Sequence, residues 1–297
     1  MIGRMSRTAM ILGVAAAALG VLASVSTGRS AARAHDAPGL IMERTRSFER
    51  PDGTIVVVSA MMEAGVADPE AVMDAMFPSS HASQRDGASA AYVIWVKWAR
   101  GDVPVTMYYN PVGEPQGLDG IGALREGLAV WNGVPRQYFR FTDGGLTSAV
   151  AGDCSNDIPG DGLNTLSWGD LPPRVLGRTC YVSDGKSHVD GHDRIFEGDI
   201  VFGKKAKFST AAVTPQDSYD LRSNVLHELG HVLGLDHTDK EPAVMLPTLS
   251  LGLQRRSPTQ DDVDGIRALY GDGSPPTTPT PPAPLPVRSH ISGLARD

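Results

Sequence analysis

The segment NVLHELGHVLGLDHTDKEPAVM, residues 224–245, limits the fold more than any other stretch of the chain. His227 and His231 are four apart, so on a helix they project from one face, one turn above the other. Their imidazole nitrogens can then meet at a single point, the geometry a tetrahedral zinc ion requires. Glu228 stands beside the first histidine, where a carboxylate can reach a metal-held water without being a ligand itself. His237 lies six residues past His231, and a continuing helix would carry it about 9 Å further along the axis. It reaches the same ion only if the helix stops and the chain reverses. Gly234 is placed for that stop, because a left-handed residue at a helix end is cheap only for glycine.

Two further segments extend this pattern: AVM at residues 243–245, and SPTQDDVDGIRALYG at residues 257–271. HELGHVLGLDH with AVM a short loop later resembles the metzincin clan of zinc endopeptidases. Thr238 after the third histidine, together with TQDDVDGIRALYG, is similar to the matrixin family in particular. The likeness covers roughly residues 92–271 and is sharp over residues 224–245 and 257–271. It implies an α/β (α+β) catalytic domain: a twisted, mostly parallel five-stranded sheet with an antiparallel edge strand, an active-site helix and a C-terminal helix. One catalytic Zn2+ would be held by His227, His231 and His237, leaving a fourth position for water. Glu228 would take a proton from that water as general base and pass it to the leaving amine of a protein or peptide substrate.

By the same resemblance, Met245 would lie as an apolar floor beneath the imidazoles, and Pro247 would form the wall of the main specificity pocket. LNTLSW would be an inner strand, RVLGRTCYV (residues 174–182) the edge strand above the zinc, and GDIVFG its neighbour. An extended peptide could then add to the edge as one more strand. Two departures stand out. Vertebrate matrixins keep their precursors latent with a propeptide cysteine, and residues 35–90 contain none. Either this region is a propeptide that works otherwise, or it is not inhibitory. Pro247 also stands where some other metzincins carry a tyrosine ligand.

The rest of the chain falls into parts around this domain. Arg4 and Arg7 precede an apolar run and then Ala32-Arg33-Ala34, the order of a secretory signal peptide over residues 1–34; an uncleaved membrane anchor is the competing reading. Residues 35–90 hold a strand at TIVVVSAMM, a short helix capped by Asp68 with Pro69 at its first position, and a polar connector. Residues 91–272 alternate strand-like runs with a helical pattern at residues 118–134 before the long helix, whose start is expected at Asp217 or Ser218. The closing helix is expected to be capped by Ser257, with Pro258 first and Gln260 completing a capping box, Asp261 and Asp262 sitting in its positive first turn. Residues 273–297 begin with a Pro/Thr tract that has nothing to bury.

Charge and cysteines narrow the setting. The formal net charge is −7, and the first 34 residues contribute four Arg and no acid, so the remainder of the chain is more acidic still. That balance favours solubility and argues against nucleic acid or an anionic membrane as partner; with the signal peptide, a secreted, extracellular protein is expected, as a monomer. Cys154 and Cys180 are the only cysteines; in an exported chain such a pair reads as a disulfide, worth about 3 kcal/mol if unstrained. Asp153, Asp157 and Asp161 could offer oxygens to Ca2+, although ordinary turn chemistry explains them equally. HVDGHD, residues 188–193, is a second group of potential ligands whose spacing fits a structural zinc poorly. Two other classes stay open: a catalytically silent zinc-dependent binding module, and a surface-attached protein with the Pro/Thr tract as stalk.

Overall fold

The computed structural model describes residues 39–50, 53–77, 96–152 and 160–272. The expectations for the signal peptide, the polar connector, Asp153, Cys154, Asp157 and the Pro/Thr tail fall outside these residues. In chain order the elements are β1 (Leu40–Glu49), β2 (Ile55–Glu63), α1 (Pro69–Met76), β3 (Val96–Lys97), β4 (Val105–Tyr109), α2 (Gly120–Asn132), β5 (Phe141–Leu146) and β6 (Asn164–Gly169). The remaining elements are β7 (Val175–Val189), β8 (His192–Gly203), β9 (Phe208–Ser209), β10 (Tyr219–Asp220), α3 (Leu221–Leu233), β11 (Thr248–Ser250) and α4 (Gln260–Tyr270).

The expected five-stranded sheet is present. β5, β4, β6 and β8 run parallel to one another, and β7 lies antiparallel beside β8. The sheet does not end at β7, however. β2 pairs antiparallel with it from Ile55↔Ser183 to Met62↔Val175, β1 pairs with β2 from Ile41↔Glu63 to Glu49↔Ile55, and β11 pairs with β1. The strand order is therefore β11-β1-β2-β7-β8-β6-β4-β5, with the short β3 against β8. The edge expected to receive a substrate is covered by the chain's own N-terminal hairpin.

Strand alternation explains how β2 serves two cores. Val56, Val58, Ala60 and Met62 meet Phe48, Met73 and Phe77, with Val175 and Cys180 of β7 closing a small core under α1. Met61, on the other face of β2, joins the main core with Trp131, Leu226, Leu229 and Met245. In that main core α2 packs on α3, and Trp131 donates its indole N–H to Leu226 O at 2.9 Å. Trp98 does the same to Val232 O at 2.8 Å, and Tyr270 of α4 donates to Leu233 O at 2.7 Å. Buried indole and phenol donors thus meet the carbonyls of the one helix that carries the histidines. Among the described residues no helix is long and apolar enough to cross a membrane.

Two helix starts differ from expectation. Residues 215–218 form a turn, Ser218 N donating to Pro215 O at 3.1 Å, and Tyr219–Asp220 then pair with Phe208–Ser209. Extended pairing delays α3, and Asp220 becomes its cap, accepting from Ser223 N at 3.0 Å. α4 likewise begins after Thr259 rather than Ser257, because Asp262 completes the capping box by accepting from Thr259 N at 2.7 Å. α1 has the expected cap, Asp68 accepting from Ala71 N at 2.9 Å.

Candidate metal centre

α3 carries His227, Glu228 and His231 through its last two turns, all three buried. It ends at Gly234, whose φ of 112° is left-handed and whose N–H reaches back to Gly230 O and His231 O. A side chain there would meet Val96 O at 2.8 Å, so neither the turn nor the space admits one. Gly230 has a different reason: a Cβ on it would collide with the sulfur of Met245. Met245 is buried directly against α3 because that position is bare.

The reversed chain holds the imidazoles from behind. His227 Nδ1 lies 2.7 Å from Val244 O, and His231 Nδ1 lies 2.9 Å from Leu235 O. Thr238 N, just past His237, donates to Met245 O at 3.1 Å and closes the loop. Asp262 fixes the far side, its two carboxylate oxygens accepting from Val244 N at 2.9 Å and Met245 N at 3.0 Å. This buried aspartate, read from sequence as a first-turn charge, positions the methionine turn.

His237 is brought to the other two: the three ring centroids stand 4.8 Å, 4.8 Å and 5.4 Å apart. A fourth group joins them from β1. One Glu43 oxygen lies 2.6 Å from His227 Nε2 and 3.0 Å from His237 Nε2, and the other lies 3.3 Å from His231 Nε2. Glu43, His227, His231 and His237 are the group among the described residues that could hold a metal ion, their donor atoms lying within 4.8 Å of one another.

These residues fit a cation. With each Nδ1–H assigned to a carbonyl, His227 and His231 present lone pairs on Nε2, and those atoms stand 3.1 Å apart. At that distance two neutral rings need a positive charge against both, from a metal ion or from a proton. Zinc bonds of 2.0–2.1 Å in tetrahedral array place ligands about 3.3 Å apart, and the His227–His231 and Glu43–histidine pairs stand 2.6–3.3 Å apart. Without an ion, Glu43 is the countercharge of the imidazoles. Burial works against charge on His227, yet Glu43 beside it lifts the imidazole to about 9. Burial also acts to raise Glu43, but the three imidazoles outweigh it and hold that carboxyl well below its usual range. Burial keeps His237 low.

Glu228 is fully buried beside these donors. One of its oxygens accepts from the Thr179 hydroxyl on β7, and the other, Oε1, has no hydrogen-bond partner. Burial, and then the charge of Glu43, push its pKa well above the usual carboxylate value. Pro247 lines a small cavity next to His227, together with Ile41, Glu43 and Met61 of the hairpin.

The C-terminal part of this assembly, residues 177–271, matches the matrixin family. That match covers about a third of the chain. It is 31% identical over 197 residues to Metalloendoproteinase 2-MMP of Arabidopsis thaliana, spanning 61% of this chain and 47% of that protein. It is 29% identical over 177 residues to Metalloendoproteinase 1 of Glycine max, 59% of this chain and 53% of that one. With Stromelysin-1 of Mus musculus identity is 32% over 183 residues, 59% of this chain and 33% of the mouse protein. The chain therefore spans about half the length of these plant relatives and a third of the mouse one.

The other groups singled out in the sequence make contacts of their own. HVDGHD forms the β7–β8 turn, with Asp190 and Gly191 at φ 50° and 85°, a two-residue hairpin turn matched to strand twist. His188 faces Asp193 at 3.0 Å, and Asp190 pairs with Lys97 at 2.5 Å. Asp161 accepts from Leu163 N at 2.8 Å in a tight turn. Cys180 is buried in β7 against the small core.

Proposed function

We propose that this chain is a secreted zinc-dependent endopeptidase acting as a monomer on protein or peptide substrates. The convergence of His227, His231 and His237 Nε2 at the end of a matrixin helix, beside a buried Glu228, supports the reading. In this reading residues 91–272 are the catalytic unit, the three histidines hold one Zn2+, and residues 35–90 are a propeptide. Zinc, when bound, supplies Lewis acidity toward a peptide carbonyl and toward water.

The chain's own groups then do the rest. Glu228 holds a proton readily, since its carboxyl is already pushed above its usual range, and Oε1 is the atom without a partner. Thr179 fixes its other oxygen, so the carboxylate is oriented before a substrate arrives. Met245 supports the imidazoles from beneath, and Pro247 bounds the pocket for one substrate side chain. Export, through residues 1–34, agrees with a Cys154–Cys180 disulfide.

The test is Glu228→Gln in the full chain, assayed on casein after brief, quenched trypsin treatment that relieves any latency of residues 35–90. The variant should keep one zinc per chain and lose about 10²–10⁴-fold in rate, the usual contribution of a general base. Hydrolysis at the unaltered rate, or hydrolysis insensitive to a chelator, would overturn the assignment.

A further inference from the structure

The hairpin of β1 and β2 does not merely cover the matrixin edge; it delivers a carboxylate into the centre. We propose that Glu43 is the fourth protein ligand of the metal held by His227, His231 and His237, and that the hairpin is thereby a built-in plug of both the metal and the substrate groove. This rests on the zinc reading above.

The chemistry of the donor set carries the first half. Three protein ligands leave an open, reactive position, whereas four make a closed, structural one. Glu43 has its side chain 2% exposed and within 2.6–3.3 Å of all three Nε2 atoms. Its Oε1 has no hydrogen-bond partner, and His237 Nε2 has none either, although it lies 3.0 Å from the other Glu43 oxygen. A shared cation would satisfy these atoms together, in place of the proton that His227 Nε2 otherwise shares with Glu43 at 2.6 Å.

Register carries the second half. Glu43 is pinned on both sides: β1 is in register with β2 along its length, and with β11 through Leu40↔Ser250, Ile41↔Leu249 and Met42↔Thr248. Glu43 N itself donates to Pro247 O at 3.1 Å. A slip of one residue would turn Glu43 to the opposite face, so two ladders are needed to hold it inward. The same hairpin occupies what a bound peptide would need. β2 takes the β7 edge over eight residue pairs, and Ile41 and Met61 wall the cavity beside Pro247.

The experiment uses the full chain in a Glu228→Gln background, so that self-cleavage cannot remove the hairpin. Zinc is replaced by Co2+, and azide is titrated while the visible absorption of the cobalt is followed. With Glu43 in place the spectrum should be insensitive to azide. Glu43→Ala should bind azide at least about 100-fold more tightly, the advantage of an intramolecular ligand over a free one. Glu43→Asp, which keeps the charge on a shorter arm, should fall between them and controls for folding. Azide binding equally well to the Glu43-containing and Glu43→Ala chains, each holding one Co2+, would overturn the plug and leave the zinc reading standing. Failure of the chains to hold one Co2+, with far-ultraviolet dichroism unchanged, would overturn the zinc reading itself and the plug with it.

Discussion

The N-terminal unit, from β1 to α1, and the segment from α3 to β11 approach the same four donors from opposite sides, and they are held in different ways. The α3 side is secured by backbone and buried polar bonds at every step: the Gly234 stop, the carbonyls behind His227 and His231, the Thr238–Met245 closure, and Asp262 beneath. The N-terminal unit has its own small core of Phe48, Val56, Val58, Ala60, Met62, Met73 and Phe77, and it takes Val175 and Cys180 from β7 to complete it. So few apolar side chains cannot make an independent domain. One sheet therefore runs through a firmly built histidine-bearing half and a lightly built covering half. Such an arrangement lets the covering half leave, Glu43 with it, while the three histidines stay in place.

Phe77→Ala should disturb the comparison most. Phe77 is buried and stacked on Phe48 at 6.4 Å between ring centres, and its truncation should cost about 3–5 kcal/mol. If the two halves are energetically separate, amide exchange should quicken over residues 40–63 while α2 and α3 keep their protection. A uniform loss across the chain would mean that the halves unfold as one.

Asp199 on β8 tests the body alone. Burial raises its pKa to about 7, against the opposing backbone N–H groups of Thr165 and Gly152, with Glu197 adding to the rise. A carboxyl raised in the folded state stabilises while protonated. Its contribution is full below about pH 4 and is lost as pH rises through about 7, on the order of 4 kcal/mol in all. Urea midpoints of the main transition should fall between pH 5 and pH 8, and Asp199→Asn should flatten that fall.

Gly234→Ala gives the smallest effect on stability, about 1–3 kcal/mol from the left-handed backbone, with the Val96 O contact adding to it. Its readout is local: zinc affinity, measured by chelator competition, should weaken because His237 is carried on the loop that Gly234 starts. Unchanged affinity would mean that the loop reaches the donors without that turn.

How much of this was legible from sequence depended on distance along the chain. His227, His231, Gly234 and His237 could be placed together because helical spacing and one glycine stop act over a single turn. The five-stranded sheet followed from strand patterns and family likeness. The start of α3 was misplaced by a few residues, since Asp217, Ser218 and Asp220 are all competent caps and only the pairing of β10 with β9 selects the last. Asp262 looked like a first-turn charge, because nothing local says that Val244 and Met245 will offer it their N–H groups.

The amino-acid order by itself determined the histidine-bearing face, its stop and the closing helix, because those features are set by residues a few positions apart. Tertiary structure alone decided what stands opposite them. In LIMERTRSFE, Glu43 is one charged residue in an alternating strand with no local mark of function. Pairing with β2 and β11 turns it inward, and pairing of β2 with β7 carries it across to the histidines. A strand's register depends on partners far along the chain, so a carboxylate placed by register has no signature in its own neighbourhood.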